Sequence, residues 1–251
     1  MRLISLVPSL SETLLDCNAS LVGRSRFCIH PALHMKSIPA VAGTKQAEWA
    51  AMARLKPDLV ILDKEENTRE MAESCPYPYL ALHITRIEDV GPELSRLATR
   101  IDNAALRAVA RRWERVAQRA TPDYTLESLP GMLEWWRMPT TQTRLEYLIW
   151  RNPWMAIGEG TFIHSMLERM GMRGRLPSHG EKYPEIELRA IDPRQTVLLF
   201  STEPFPFQRY RDQLLKLGYA CGLINGECYS WYGIRSLVFL EKYLPADSIP
   251  T

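Results

Sequence analysis

A thiol and an imidazole lie close together near residue 30 of the sequence. Cys28 and His30 are separated by one residue in Cys28-Ile29-His30-Pro31, and His34 follows. Thiolates and imidazoles are good ligands for zinc, copper and cobalt. A closed site needs about four ligands, so His83 or another residue would have to complete it. In the alternative, structural interpretation, Cys28 is a small buried side chain and His30 is a loop residue.

A second candidate site is a proline-rich segment with two aromatic rings, Glu203-Pro204-Phe205-Pro206-Phe207, which follows an apolar run. Proline fixes the backbone φ angle, so Phe205 and Phe207 are expected on a stiff loop. Rigid rings at the end of a strand make suitable walls for a flat apolar ligand. Alternatively, the two rings close the hydrophobic core.

A third candidate site is the segment from Glu227 to Arg235, which is rich in aromatic residues. We expect Ser230 to cap the last helix. The first turn of that helix would then carry two rings and a guanidinium, on Trp231, Tyr232 and Arg235. Such groups can stack on a ligand or pair with an anion. Comparable positions before other helices are occupied by Tyr183 and by Thr44 and Lys45.

The sequence lacks the short motifs that mark several catalytic and nucleotide-binding sites. It contains no glycine-rich dinucleotide or phosphate loop, no GxSxG and no HExxH. The Gly158-Glu159-Gly160 segment is too short to indicate a phosphate site. These classes of site therefore have no support in the sequence.

The elements that must position these residues alternate between strands and helices. Short apolar runs predict strands at 3–7, 21–24, 59–62, 79–82, 145–150, 196–200 and 219–224. Helices are predicted between them, the first capped by Ser9 or Ser11 and the last over 231–243. The 133–136 cluster is expected to be a short packing helix. This alternation indicates an α/β fold.

A long amphipathic helical region is predicted over 87–120, with a break near Asp102-Asn103. It separates an N-terminal α/β lobe at 1–86 from a C-terminal α/β lobe at 121–251. Arginines fill one of its faces, at Arg107, Arg111, Arg112, Arg115 and Arg119. The chain has 31 Lys+Arg and 29 Asp+Glu residues, so a solvated helix face is favoured over a nucleic-acid site.

Composition limits the class of protein further. Of 251 residues, 46% are hydrophobic and 24% are charged, which is typical of a folded globular chain. No apolar stretch approaches the ~20 residues that span a bilayer. Five irregularly spaced cysteines favour a reducing compartment. Without an N-terminal signal pattern, we expect a cytoplasmic protein, or a periplasmic one if a signal peptide has been removed.

Several segments resemble the substrate-binding proteins of cobalamin, haem and iron-siderophore ABC importers, nearest the cobalamin-binding branch. They are Arg2–Ser9, Glu12–Leu14, Gly43–Lys45, Leu55–Val60, Gly158–Gly171, Tyr183–Glu185 and Ser201–Phe207. The resemblance implies the class III fold, with two Rossmann-like lobes of parallel sheet joined by a long backbone helix. It also implies non-catalytic binding of cobalamin, haem or an iron chelate in a cleft between the lobes, with no catalytic cofactor.

The resemblance and the three candidate sites together give one set of expected ligand-binding residues. They are Ser9, Cys28, His30, Thr44, Lys45, Tyr183, Glu203, Phe205, Phe207, Trp231, Tyr232 and Arg235, with Cys28 and His30 also the candidate metal ligands. An importer permease would be a partner if the chain is exported, and Glu70 lies near one docking position that the resemblance implies. The alternatives are a cytoplasmic enzyme or metal-trafficking protein with a direct Cys/His metal site, and a structural protein.

Overall fold

The structure is a computed structural model that describes residues 1–43 and 45–246. The chain forms two compact units. The first comprises Met1–Gln118 with Trp231–Val238, and the second comprises Arg119–Ser230 with the chain after Val238. Within the described residues, no helix combines the length and apolar character that crossing a membrane requires.

The first unit contains a five-stranded sheet that is parallel throughout. Its strands are β1 (Leu3–Ser5), β2 (Leu21–Ser25), β3 (Ala40–Ala42), β4 (Leu59–Asp63) and β5 (Tyr79–Leu82), in the order β3-β2-β1-β4-β5. Every residue of β4 is buried, as expected of a parallel strand with both faces covered. The carboxyl ends of all five strands therefore lie at one edge of the sheet.

The α-helices that the structure describes within Met1–Gln118 are α1 (Pro8–Asp16), α2 (Ala32–Met35), α3 (Trp49–Met52), α4 (Arg69–Glu73), α5 (Ile87–Ile101) and α6 (Ala104–Gln118). The predicted cap of α1 is wrong, because the N-cap is Val7 and no side chain caps the helix. Pro8 occupies the first helical position, where its fixed φ angle suits the start of a helix. The Ser11 hydroxyl instead donates to the Val7 carbonyl at 2.9 Å.

The amphipathic region consists of α5 and α6, and the predicted break is present. Asp102 ends α5 in the left-handed region, with a φ of 49°. The Asn103 side chain then accepts a hydrogen bond from the Leu106 amide at 2.8 Å, at the start of α6. The buried face of α6 includes Trp113, which is fully enclosed.

The second unit contains a five-stranded mixed sheet. Its strands are β6 (Met132–Arg137), β7 (Arg144–Trp150), β8 (Met155–Ala156), β9 (Thr196–Ser201) and β10 (Ala220–Ile224), in the order β6-β10-β9-β7-β8. The three central strands are parallel, whereas β6 and β8 pair antiparallel at the edges. The prediction of parallel sheets therefore holds for the centre of this sheet and not for its edges.

The packing helix predicted at 133–136 is wrong, because these residues form part of β6. Trp136 is buried and stacks on Phe200 with ring centroids 5.5 Å apart, whereas Leu133 is 56% exposed. Trp136 is the buried residue of β6 and the others are partly buried or exposed, so the strand packs one ring into the core without forming a helix.

The remaining helices are α7 (Phe162–Leu167), α8 (Arg211–Leu215), α9 (Gly226–Ser230) and α10 (Ile234–Tyr243). The predicted last helix was wrong at its start, since Ser230 ends α9 and α10 begins only at Ile234. The Ile234 amide donates to the Thr13 hydroxyl at 3.0 Å. The Trp113 indole donates to the Gly233 carbonyl at 3.1 Å. These contacts place Trp231–Val238 with the first unit, although the sequence assigned this segment to the C-terminal lobe.

Candidate functional site

The carboxyl end of β4 carries a buried carboxylate, Asp63, that the sequence analysis did not single out. Asp63 is fully buried, and its Oδ1 accepts a hydrogen bond from the Glu65 amide at 2.8 Å. Burial raises the pKa of Asp63 to about 6, although the Glu65 and Glu66 backbone amides and the neighbouring Tyr232 hydroxyl oppose the shift. Its position as the last residue of an apolar strand was the available sequence signal.

Tyr232 lies against Asp63 in the first unit. Its side chain is buried, and its hydroxyl interacts with Asp63 and with Ser9. Burial first, and then the neighbouring Asp63 and Glu66 carboxylates, raise the pKa of Tyr232 well above its usual value. The structure thus brings Ser9 and Tyr232, both predicted to bind ligand, into one buried polar cluster around Asp63.

Trp231, His30 and Arg235 form a second group in the first unit. The rings of His30 and Trp231 meet edge to face, with centroids 5.3 Å apart. The Arg235 guanidinium carbon lies 5.3 Å from the centroid of the Trp231 ring. Arg235 also donates two hydrogen bonds to the Glu12 carboxylate, at 2.6 and 3.0 Å. His30 is half-buried, whereas Trp231 is only 7% exposed.

Cys28 is enclosed by hydroxyl groups. Its sulfur lies 3.0 Å from the Ser11 oxygen and 3.2 Å from the Ser25 oxygen, and burial raises the pKa of its thiol. Across residues 1–43 and 45–246, no group of three or more His, Cys, Asp or Glu side chains is arranged to hold a metal ion. This geometry supports the structural interpretation of Cys28.

The other predicted residues of the first unit that the structure describes are exposed. His34 is exposed, and His83 contacts the Glu65 carboxylate at 3.2 Å. Lys45 is exposed and donates to the Glu66 carbonyl at 2.9 Å. Thr44, which was also predicted to bind ligand, lies outside the described residues.

In the second unit, the carboxyl ends of the central strands carry an aromatic group. Trp150 ends β7 and is 40% exposed, and its ring meets Phe205 edge to face at a centroid distance of 5.5 Å. Phe205 in turn contacts Phe207 at 4.7 Å and stacks on Tyr210 at 5.3 Å. Phe207 is fully buried in the core, which supports the core interpretation for that ring.

Trp150 is a residue that the sequence analysis missed as part of a site. It stood at the end of a correctly predicted strand, and β7 lies next to β9, which leads into Phe205. Neighbouring parallel strands end at the same edge of a sheet, so strand order would have been needed to bring the two rings together.

Glu203 belongs to a polar network beside this aromatic group. The Ser230 hydroxyl donates a short hydrogen bond to the Glu203 carboxylate. The Glu203 amide donates to the Ser201 hydroxyl at 3.4 Å, which also accepts from Tyr147 at 3.2 Å. A Cβ on Gly226 would lie 2.2 Å from the Ser201 oxygen, so glycine is required for this close approach.

Tyr183 stands on a segment that is paired with β8. The Ala156 amide donates to the Pro184 carbonyl at 3.0 Å, and the Gly158 amide donates to the Lys182 carbonyl at 2.8 Å. These bonds hold the backbone on both sides of Tyr183, whose side chain is 43% exposed. The Tyr183 side chain is therefore exposed to solvent, while hydrogen bonds hold the backbone on both sides of it.

No protein-family model and no curated protein sequence matches this chain. Solved structures do match it. The periplasmic vitamin B12 binding protein BtuF of Vibrio cholerae matches with a TM-score of 0.70 at 16% identity, over 96% of this chain and 94% of that chain. A possible iron-binding (periplasmic solute-binding) protein from Staphylococcus epidermidis matches with a TM-score of 0.69 at 15% identity, over 96% of both chains.

A periplasmic haem binding protein from Pseudomonas aeruginosa matches with a TM-score of 0.67 at 19% identity, over 98% of this chain and 93% of that chain. Matches of this extent show a shared fold at low sequence identity. The chain therefore has the class III substrate-binding-protein fold that the sequence predicted.

Proposed function

We propose that this chain binds a flat metal chelate, such as a corrinoid or a haem, without changing it chemically. The observation that carries the proposal is the exposed Trp150 ring seated on Phe205 at the carboxyl ends of β7 and β9. Ligands of open α/β sheets bind outside the carboxyl ends of the strands. An exposed indole there offers a flat apolar face on which a macrocycle can stack.

The polar groups near the strand ends support a binding role. Asp63 accepts from a backbone amide, Glu203 accepts from Ser230, and Arg235 pairs with Glu12. These groups are engaged within the protein, and they fix the loops that would contact the chelate. Each unit thus holds its own polar groups in place before a ligand arrives, which is typical of ligand sites that bind without a large rearrangement.

His30 is the imidazole that we propose for contact with the metal of the chelate. It is half-buried and packs against Trp231, so its ring is oriented by the protein. Cys28 is enclosed by Ser11 and Ser25, which makes its thiol a weaker candidate. The position of the ligand relative to the two units stays a prediction of the sequence.

The partner and the location are also part of the proposal. All three matched proteins named above are described as periplasmic. This favours the periplasmic alternative over the cytoplasmic prediction. An importer permease would then be the partner. Glu70 is exposed in the first turn of α4, where such a partner can reach it. Fractionation of cells that express the full-length gene would decide the location.

The function is tested by titrating the protein with cyanocobalamin and with haemin while the visible spectrum of each is followed. We expect Trp150→Ala to weaken binding of the accepted chelate at least tenfold. Leu133→Ala is the matched control, since Leu133 is also an exposed apolar residue of the same sheet. Equal affinities of wild type and Trp150→Ala would contradict the proposed site.

A further inference from the structure

Glu146 is a carboxylate on the apolar face of the second sheet. It lies on β7 opposite Leu198 of β9, and its side chain is 4% exposed. Its neighbours along β7, Leu145 and Tyr147, are buried on the opposite face. A carboxylate in such a place is costly unless it is paired, and burial raises the pKa of Glu146.

The partner of Glu146 is His179, which comes from a loop 33 residues further along the chain. His179 Nε2 lies 3.0 Å from Glu146 Oε2, and the His179 side chain is 15% exposed. The two side chains line a cavity of about 450 Å³, whose other charged lining residues are Arg144, Glu187 and Asp192. The contact between His179 and Glu146 therefore links the loop that carries His179 to β7 inside the second unit.

The same loop leads directly to Tyr183. Gly180 follows His179 in the left-handed region, with a φ of +70°, and turns the chain. From Lys182 onward the backbone is paired with β8, beginning with the bond between Gly158 and Lys182 at 2.8 Å. A Cβ on Gly158 would lie 1.9 Å from the Glu181 carbonyl oxygen, so this approach is very close. His179 therefore fixes the chain just before the segment that presents Tyr183.

We propose that Glu146 and His179 are a positioning pair, which holds the 176–181 loop so that Tyr183 is set for contact with the chelate. The last step of this proposal, the contact of Tyr183 with the chelate, rests on the proposed function. The pair acts at a distance from the ligand, since its own side chains are enclosed within the unit. Loss of either partner leaves the other buried without its hydrogen bond, so the loop is expected to move away.

The test is a double-mutant cycle between His179 and Tyr183, read out as affinity for cyanocobalamin and haemin. We expect His179→Ala to weaken binding at least fivefold, and His179→Gln to keep near wild-type affinity, because its amide can replace Nε2 as the donor. In the Tyr183→Ala background, His179→Ala should change the affinity less than twofold, since the residue through which it acts is gone. An equal effect in both backgrounds would overturn the proposal.

A second measurement separates this proposal from the proposed function. Hydrogen exchange of the Ala156 and Gly158 amides, which donate to the Pro184 and Lys182 carbonyls, should be at least tenfold faster in His179→Ala than in wild type, with the β9 amides unchanged. If the wild type binds neither chelate, the proposed function fails while this measurement still decides whether the pair holds the loop. Unchanged exchange at Ala156 and Gly158 would overturn the positioning pair. Glu146→Leu, which removes the acceptor for His179 but keeps a side chain of similar size, serves if His179→Ala does not fold.

Discussion

The Arg235 guanidinium forms a bidentate ion pair with Glu12, with nitrogen–oxygen distances of 2.6 and 3.0 Å. The two residues are 223 positions apart, and both belong to the first unit. The sequence predicted that Arg235 would pair with an anionic ligand. In the structure its partner is the Glu12 carboxylate, so the ion pair fastens Trp231–Val238 to α1, and contact with an anionic ligand stays a prediction.

Arg235→Lys should therefore destabilise the protein, because lysine cannot reproduce the two parallel hydrogen bonds. The side chains of Arg235 and Glu12 are 26% and 15% exposed, so we expect a loss of about 1–2 kcal/mol in the free energy of unfolding by urea. Arg194→Lys is the control, since Arg194 is 88% exposed beside Asp192 and its replacement should leave the free energy of unfolding nearly unchanged. Equal losses would contradict this account.

Asp63 should make the stability depend on pH. Its folded pKa of about 6 lies above the model-peptide value of 3.8, so the folded state holds this proton more tightly than the unfolded state does. The wild type therefore loses stability relative to Asp63→Asn as the pH rises from 4 to 6. Between pH 4.5 and 7.5 we expect the difference to change by about 2 kcal/mol in favour of Asp63→Asn, measured by urea unfolding. A constant difference, or a change of opposite sign, would refute the assignment.

Phe205 and Phe207 should respond differently to truncation. Phe207 is fully buried, so Phe207→Ala should cost about 3–5 kcal/mol of unfolding free energy. Phe205 is partly buried beneath Trp150, so Phe205→Ala should cost less stability and should weaken chelate binding at least fivefold. Urea unfolding and titration of both variants check this division. A larger loss of stability in Phe205→Ala would show that the two roles are reversed.

Cys28 should be protected from alkylation. Burial raises the pKa of its thiol, and the thiolate is the reactive form, so native protein at pH 8 should leave Cys28 unmodified by iodoacetamide. Mass spectrometry of the digested protein, with a sample unfolded in urea as control, reads this out. Cys28→Ala should also bind chelate within twofold of wild type. Rapid native alkylation, or lost binding in Cys28→Ala, would restore Cys28 as a candidate ligand.

Local patterns in the sequence were sufficient for most of the fold. The apolar run at Leu59–Leu62 predicted a fully buried strand, and the break at Asp102 was placed correctly. The β6 strand was missed, because an aromatic cluster on an edge strand has no helical or strand period of its own. The start of α10 was missed because the contacts of Gly233 and Ile234 come from Trp113 and Thr13, far away in the chain.

The candidate site was harder to predict, since its residues are defined by distant partners. Phe205 was found from its prolines, but Trp150 required knowledge that β7 and β9 are neighbours. Tyr232 carried no sign that its hydroxyl would meet Asp63, which lies 169 positions earlier in the sequence. Burial and strand order decide such groupings, and neither can be derived from residue spacing alone.

Calorimetric titration of the wild-type protein with cyanocobalamin and with haemin tests the central claim most directly. The account predicts saturable binding of at least one of them, and a gain of about 2.7 kcal/mol in unfolding free energy when that chelate is present at 100 times its Kd. It also predicts that Trp150→Ala weakens this binding at least tenfold. No binding heat and no stabilisation with either chelate would contradict it.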